Sequence, residues 1–162
     1  MALDLVPFRH EFFEEYSSWF RDPELNRHLG PMNREWLDCV LSEPEASGVT
    51  WAAFSDSVLV GVVETAFDPD NRLPAAITAV AVKPSLRRQG FGADIIREVL
   101  SRDHDKGQHD HIAYISPDNP AAQRLLTKLG FTPSSVAPAP SGYIEFRHRG
   151  KPTTSAEPCN VR

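Results

Sequence analysis

The sequence predicts an α/β fold: a mixed, mostly antiparallel sheet of six or seven strands with helices packed against it. Three observations carry this expectation. Residues 8–41 hold apolar side chains at helical spacing. From Val49 the period shortens to that of strands, and three strands follow with brief breaks, as in an antiparallel meander. Beyond Val82 the pattern becomes helix, strand, helix, strand. A strand that follows a helix can lie parallel to the strand before it.

Leu3 to Pro7 reads as a short first strand. Phe8 to Phe20 reads as one amphipathic helix, with Phe8, Phe12, Tyr16, Trp19 and Phe20 on one side. The stripe fits core packing, with a ligand wall as the alternative. Asp22-Pro23 breaks the chain, and Glu24 to His28 is a helical turn or a loop. Asn33 suits the N-cap of a second helix carrying Trp36, Leu37, Val40 and Leu41. Val49–Phe54 and Val58–Phe67 form a hairpin around Ser55-Asp56-Ser57, and Ala75–Val82 is the next strand. Gly90–Arg102 is a helix, and Asp103–Asp110 a polar loop. His111–Ile115 is a strand, and Asp118 or Asn119 caps a helix that stops at Gly130. Phe131-Thr132 starts a strand, Pro133–Pro140 is a loop, and Gly142–Arg147 closes a hairpin.

The chain has 162 residues, enough for one domain with a real core. We read 1–149 as that domain and 150–162 as a flexible tail. A net charge of −5 argues against general affinity for nucleic acid and is compatible with a cationic substrate. Cys39 and Cys159 read as reduced thiols. There is no basic leader and no apolar run approaching the roughly 18 residues of a membrane span. The expectation is a soluble, cytoplasmic protein with no membrane partner; a homodimer stays open.

The chemistry gathers at Val80 to Gly92. An apolar strand ends at Pro84, then Arg87, Arg88, Gln89, Gly90 and Gly92 lead into a helix. A helix N-terminus offers unpaired N–H groups and partial positive charge, so this loop suits a phosphate. A Walker A motif is absent, and Ile95 stands where a dinucleotide fingerprint needs its third glycine. A plain surface loop remains the alternative. His104, His109 and His111, with Asp103, Asp105 and Asp110, invite a metal site, but their spacing fits no compact ligand set and reads as a solvated loop. No metal is expected.

A second motif follows: Asn119, Ala122, Lys128, Gly130 and Phe131. Together with Arg87, Gly90 and Gly92 after Val82-Lys83-Pro84, it makes the chain resemble the GCN5-related N-acetyltransferase (GNAT) family over about residues 75–132. The resemblance implies helices on both faces of the sheet and a V-shaped splay between its two central parallel strands. It implies that the backbone from Arg88 to Ala93, including Gln89 and Phe91, holds the pyrophosphate of acetyl-CoA, with charge from Arg87 and Arg88 nearby. Ala81 to Lys83 would pair with the pantetheine arm. The Val82 N–H would face the thioester oxygen, and Asn119 would lie near the pantetheine or sulfur.

The implied reaction is direct transfer of an acetyl group to a primary amine of a small molecule or peptide. The first helices look like those of relatives acting on aminoglycosides or ribosomal-protein N-termini. An alkyl ammonium must first lose a proton. Glu64, inside the apolar run Val62–Ala66, is the candidate base. A solvent-facing Glu64 paired with a surface cation is the competing reading, and Asp68 and His28 are alternative bases. Many relatives carry Glu at the position of Thr78. Many also carry an acid Tyr where this chain has Leu126. Ser116, Tyr143 or water would then protonate the thiolate, and a non-catalytic acyl-CoA sensor is the other function left open.

Overall fold

A computed structural model describes residues 2–134 and 142–150. The predicted 135–140 part of the loop and the tail beyond Gly150, with Cys159, lie outside the described residues. Seven strands form one sheet in the order β1-β2-β3-β4-β5-β7-β6. They are β1 (Asp4–Pro7), β2 (Gly48–Ser55), β3 (Val58–Ala66), β4 (Ala75–Val82), β5 (Asp110–Ile115), β6 (Thr132–Pro133) and β7 (Ile144–Arg149). β4 and β5 are parallel, and every other neighbouring pair is antiparallel. Asp56 and Ser57 both have positive φ, as a two-residue hairpin turn requires.

The helices are α1 (Phe13–Ser18), α2 (Pro23–Leu29), α3 (Arg34–Ser42), α4 (Phe91–Asp105) and α5 (Pro120–Lys128). Asn33 caps α3 as expected, its Oδ1 accepting the Trp36 N–H at 3.0 Å. The continuous helix expected over 8–20 is corrected. The chain makes a 3-10 turn at His10–Phe12, then α1, then a second 3-10 turn at Trp19–Arg21. Phe8 is still extended, its N–H bonded to Thr50 O at 2.8 Å. Ser17 and Ser18 turn their hydroxyls onto Glu14 and Glu15 carbonyls, a bond that competes with helix continuation.

Two apolar layers sandwich the sheet. On one face Val60, Val63, Ile77, Ala113 and Phe146 pack with Phe91, Ile95, Ile96 and Val99 of α4 and Leu126 of α5. On the other, Ala52, Leu59, Val62 and Ala81 pack with Phe8, Tyr16, Trp19, Leu25 and Leu37. Each such large side chain contributes about 1.5–3 kcal/mol by leaving water. Gly61 lets α4 sit close on the sheet, because a Cβ there would meet the Ile95 side chain and Ala81 O at 2.8 Å.

The solvated loop expected at Asp103–Asp110 is corrected too. The helix continues to Asp105, and Asp103 is buried against His111 of β5, with Nε2 and Oδ2 2.9 Å apart. His148 of β7 stands beside this pair, its ring 6.5 Å from His111 and 5.1 Å from Phe131. Burial, then the His111 charge, hold its pKa below the ordinary histidine value of 6.5, while Asp110 opposes them. The unfolded chain therefore takes up that proton more readily. We expect the denaturation midpoint to be flat above pH 6.5 and to fall as pH drops below it. His148→Gln should reduce that slope.

Candidate functional site

The pairing of β4 with β5 covers only Ala75–Ile77 against His111–Ala113. Both strands continue past it, to Val82 and Ile115, so the sheet opens between them. Along β4 the Lys83 N–H donates to Val60 O of β3 at 2.9 Å. Backbone groups alternate sides along a strand. The register of Ala81 on Val62 therefore turns Ala81 toward β3, while Val80 and Val82 face the opening with N–H and C=O unpaired by β5. This inner edge fits an extended, amide-bearing arm added as a strand.

The opening leads to the start of α4. Arg88 and Gly90 have φ of 62° and 89°, so successive N–H groups of the loop turn inward as an anion nest. Gly90 is the N-cap and supplies no side-chain cap. The first bond inside the helix is Asp94 N–H to Gly90 O at 3.1 Å, which leaves the Phe91, Gly92 and Ala93 N–H groups free at the positive end of the helix dipole. The Phe91 and Ala93 side chains are buried, so each offers only its backbone here. Arg88 and Gln89 are exposed beside the nest. These residues fit a pyrophosphate.

Arg87 is engaged elsewhere. Its guanidinium meets Asp22 at 2.7 Å and Glu24 at 3.5 Å, tying the loop to the start of α2. Asp22 also caps α2 by accepting the Leu25 N–H at 2.9 Å. The Arg87 hydrogen bond, with the backbone N–H of Leu25, holds its carboxyl below the usual range. Lys83 is similarly paired with Glu15 at 3.0 Å.

Glu64 lies on the α1–α3 face of the sheet, opposite Ala79 of β4. It is half-buried and accepts the Trp36 indole N–H on Oε1 at 2.9 Å. Burial raises its pKa, the Trp36 bond opposes that, and Glu43 adds a smaller upward push. The competing picture of a surface ion pair is not what forms: among the described residues Glu64 has no salt bridge. Asp68 accepts the Asp70, Arg72 and Leu73 N–H groups, so it organises its own loop. The His28 ring nitrogen meets Arg27 at 3.1 Å, and its charge acts on nearby Asp118.

On the far side of the opening, Asn119 caps α5, its Oδ1 accepting the Ala122 N–H at 3.2 Å. Among the described residues its amide NH2 has no hydrogen-bond acceptor. The Ser116 hydroxyl donates to Asp118, which also pairs with Arg27 at 3.1 Å. Leu126 is 4% exposed and belongs to the core. Tyr143, just ahead of β7, is exposed. The structure thus brings Glu64, Val82 and the α4 nest to the two sides of one strand, β4, with Ser116 and Asn119 across the gap. Sequence reading missed the ties from Arg87 to Asp22 and from Trp36 to Glu64. Asp22-Pro23, read above as a break, is the N-cap and first residue of α2, and the partner of Asp22, Arg87, lies 65 residues away.

The described chain also has no helix long and apolar enough to cross a membrane. Among the described residues no three His, Cys, Asp or Glu side chains converge as a metal set. No curated protein matches the sequence. The solved structures share its fold at low identity. Ribosomal-protein-S18-alanine N-acetyltransferase from Escherichia coli has TM-score 0.68 and 15% identity, with 99% of each chain covered. Aminoglycoside acetyltransferase AAC(6′)-Ib, in complex with coenzyme A and kanamycin, has TM-score 0.74 and 14% identity over 91% of this chain and 95% of that one. The PaiA N-acetyltransferase from Thermoplasma acidophilum, in complex with coenzyme A, has TM-score 0.68 and 16% identity over 92% and 99%. Residues 9–131 match the model of the acetyltransferase (GNAT) family, a span that includes the open β4 edge and the α4 nest, and the chain belongs to that family.

Proposed function

We propose that this chain is an N-acetyltransferase that moves an acetyl group from acetyl-CoA to a primary amine of a small molecule or peptide, with both substrates bound together. The observation that carries this reading is the uncapped α4 N-terminus opening beside the unpaired edge of β4. Acetyl-CoA supplies the thioester that makes the acetyl carbon electrophilic. The nest from Arg88 to Ala93 holds the pyrophosphate, and Val80 and Val82 hold the pantetheine amides. The Val82 N–H donates to the carbonyl oxygen as it gains charge. The amine nitrogen bonds the acetyl carbon, the C–S bond breaks, and the sulfur leaves as a thiolate that takes up, through water, the proton the nitrogen sheds in becoming an amide. Val82 pairs with Gly61, three residues along β3 from Glu64, which is about 10 Å at strand spacing. Glu64 therefore takes the ammonium proton through water. The kanamycin complex of AAC(6′)-Ib supports a small-molecule amine acceptor. The exposed Cys39 thiol suits a reducing, cytoplasmic setting.

Coenzyme A titration by calorimetry, and thiol release with a panel of amines, test the reading. We expect binding, and turnover on at least one amine; a flat calorimetric titration would sink the proposal. With that amine, kcat/KM should rise with pH as Glu64 ionises, with a midpoint above the ordinary carboxylate range. Glu64→Gln should remove that limb and lower kcat/KM about 100-fold.

A second reading, an acyl-CoA sensor, is favoured by one observation. Leu126 is buried in the core and the Ser116 hydroxyl is already bonded to Asp118, so neither is poised as an acid. A thiolate is nevertheless a fair leaving group, since a thiol has a pKa of about 8.5. Turnover on any amine excludes the sensor.

A further inference from the structure

We infer that Trp36 is a positioning residue for the reaction: its indole N–H fixes Glu64 Oε1 and leaves Oε2 as the proton acceptor. This inference rests on the acetyltransferase reading of Glu64.

The indole is locked before it meets Glu64. Its backbone N–H is bonded to the Asn33 cap, which sets the start of α3. Phe8 meets its ring edge-on at 5.2 Å, Tyr16 lies at 5.2 Å, and Phe13 stacks on it at 6.3 Å and 18°. The Glu64 main chain is tied from the other side, where Thr78 Oγ1 donates to Glu64 O at 3.3 Å. A glutamate has three side-chain torsions, and a single hydrogen bond from a rigid donor removes most of that freedom. Oε2 has no hydrogen-bond partner among the described residues.

Trp36 does more here than fill the aromatic layer. In that layer the Trp19 indole N–H is buried with no side-chain or backbone acceptor among the described residues. The Trp36 indole, by contrast, has a protein acceptor, Glu64 Oε1 at 2.9 Å.

The bond also bears on charge. The ionisable group that acts on Glu64 is Glu43 after α3; the Tyr16 hydroxyl of α1 is near enough to feel the Glu64 charge but stays neutral, and among the described residues no cation lies within salt-bridge distance. Burial and Glu43 favour the protonated acid, and only the Trp36 N–H favours the carboxylate. A base must be ionised to accept a proton. Trp36 keeps Glu64 in that form at lower pH than it would otherwise reach.

The test uses the full chain and two readouts. In wild-type protein, the 15N–1H indole signal of Trp36 should shift with the ionisation of Glu64, read by carboxyl 13C in the same sample. Glu64→Gln should abolish that shift. Trp36→Phe keeps an aromatic body in the cluster and deletes the donor. It should move the Glu64 midpoint to higher pH and carry the acid limb of kcat/KM with it. At a pH below that limb kcat/KM should fall about tenfold or more, the size of a hydrogen bond to a charged group. The coenzyme A affinity should be unchanged, which confirms a folded variant. An indole signal that ignores pH in wild type overturns the inference, as does an unmoved Glu64 midpoint in Trp36→Phe. Failure to turn over any amine defeats the acetyltransferase reading, while the titrations still report on the Trp36–Glu64 pair.

Discussion

Gly92→Glu should leave a folded protein whose affinity for coenzyme A is weaker by 100-fold or more. Gly92 sits at the second position of α4, within the run of free N–H groups. A side chain there has limited room, since a Cβ would lie 3.3 Å from Leu125 Cδ2 and 3.6 Å from Val82 Cγ2. The nearer atom is the end of a side chain and can give way. A carboxylate in the first turn of a helix is favourable to the helix dipole, by about 0.3–1 kcal/mol. The fold is therefore little harmed. The same carboxylate repels a pyrophosphate and covers the donors that would bind it. Two lost charge-assisted hydrogen bonds, each worth about 1.5–3 kcal/mol, are enough for a factor of 100. Calorimetry and the thermal midpoint, measured together, check both halves. Undiminished affinity would remove the nest as the binding site.

Breaking the buried pair between α4 and β5 should give the largest loss of stability. His111 and Asp103 have side chains 2% and 7% exposed, 2.9 Å apart. Replacing one partner leaves the other polar group without water or a bond. Such losses run to about 3–5 kcal/mol. For a chain of this size that lowers the thermal midpoint by about 10 °C. We expect this for His111→Ala and for Asp103→Ala. Asp103→Leu combined with His111→Leu should cost less than either single alanine change, because no polar group is then stranded. Chemical denaturation of the four proteins gives the comparison. Additive losses would show that the two residues act independently.

The two pictures, from sequence and from structure, part at these contacts. Local pattern sufficed for the strands: the meander from Val49 to Val82, the cap at Asn33 and the stop at Gly130 are all rules about neighbours in the chain. The family motif was likewise legible, because Gly90 and Gly92 shape the turn into α4 through their own backbone. The errors fell where a distant residue overruled local pattern. Asp103 and His111 read as solvated charges because each is polar, and only the end of α4 packing on β5 makes them a buried pair. The aromatic run Phe8–Phe20 read as one helix, but Phe8 is held extended by Thr50, 42 positions on.

The sequence by itself determined that a strand end, arginines and glycines lie together within thirteen residues, Val80 to Gly92, at the start of a helix. It also placed a carboxylate, Glu64, in an apolar strand. It did not determine what those groups touch. Tertiary structure decided that Arg87 serves Asp22 and Glu24, that Glu64 receives the Trp36 indole, and that β4 parts from β5 after Ile77. The physical reason is common to all three. Backbone conformation follows from nearby residues, whereas ion pairs, indole bonds and an unpaired sheet edge depend on how separate elements dock.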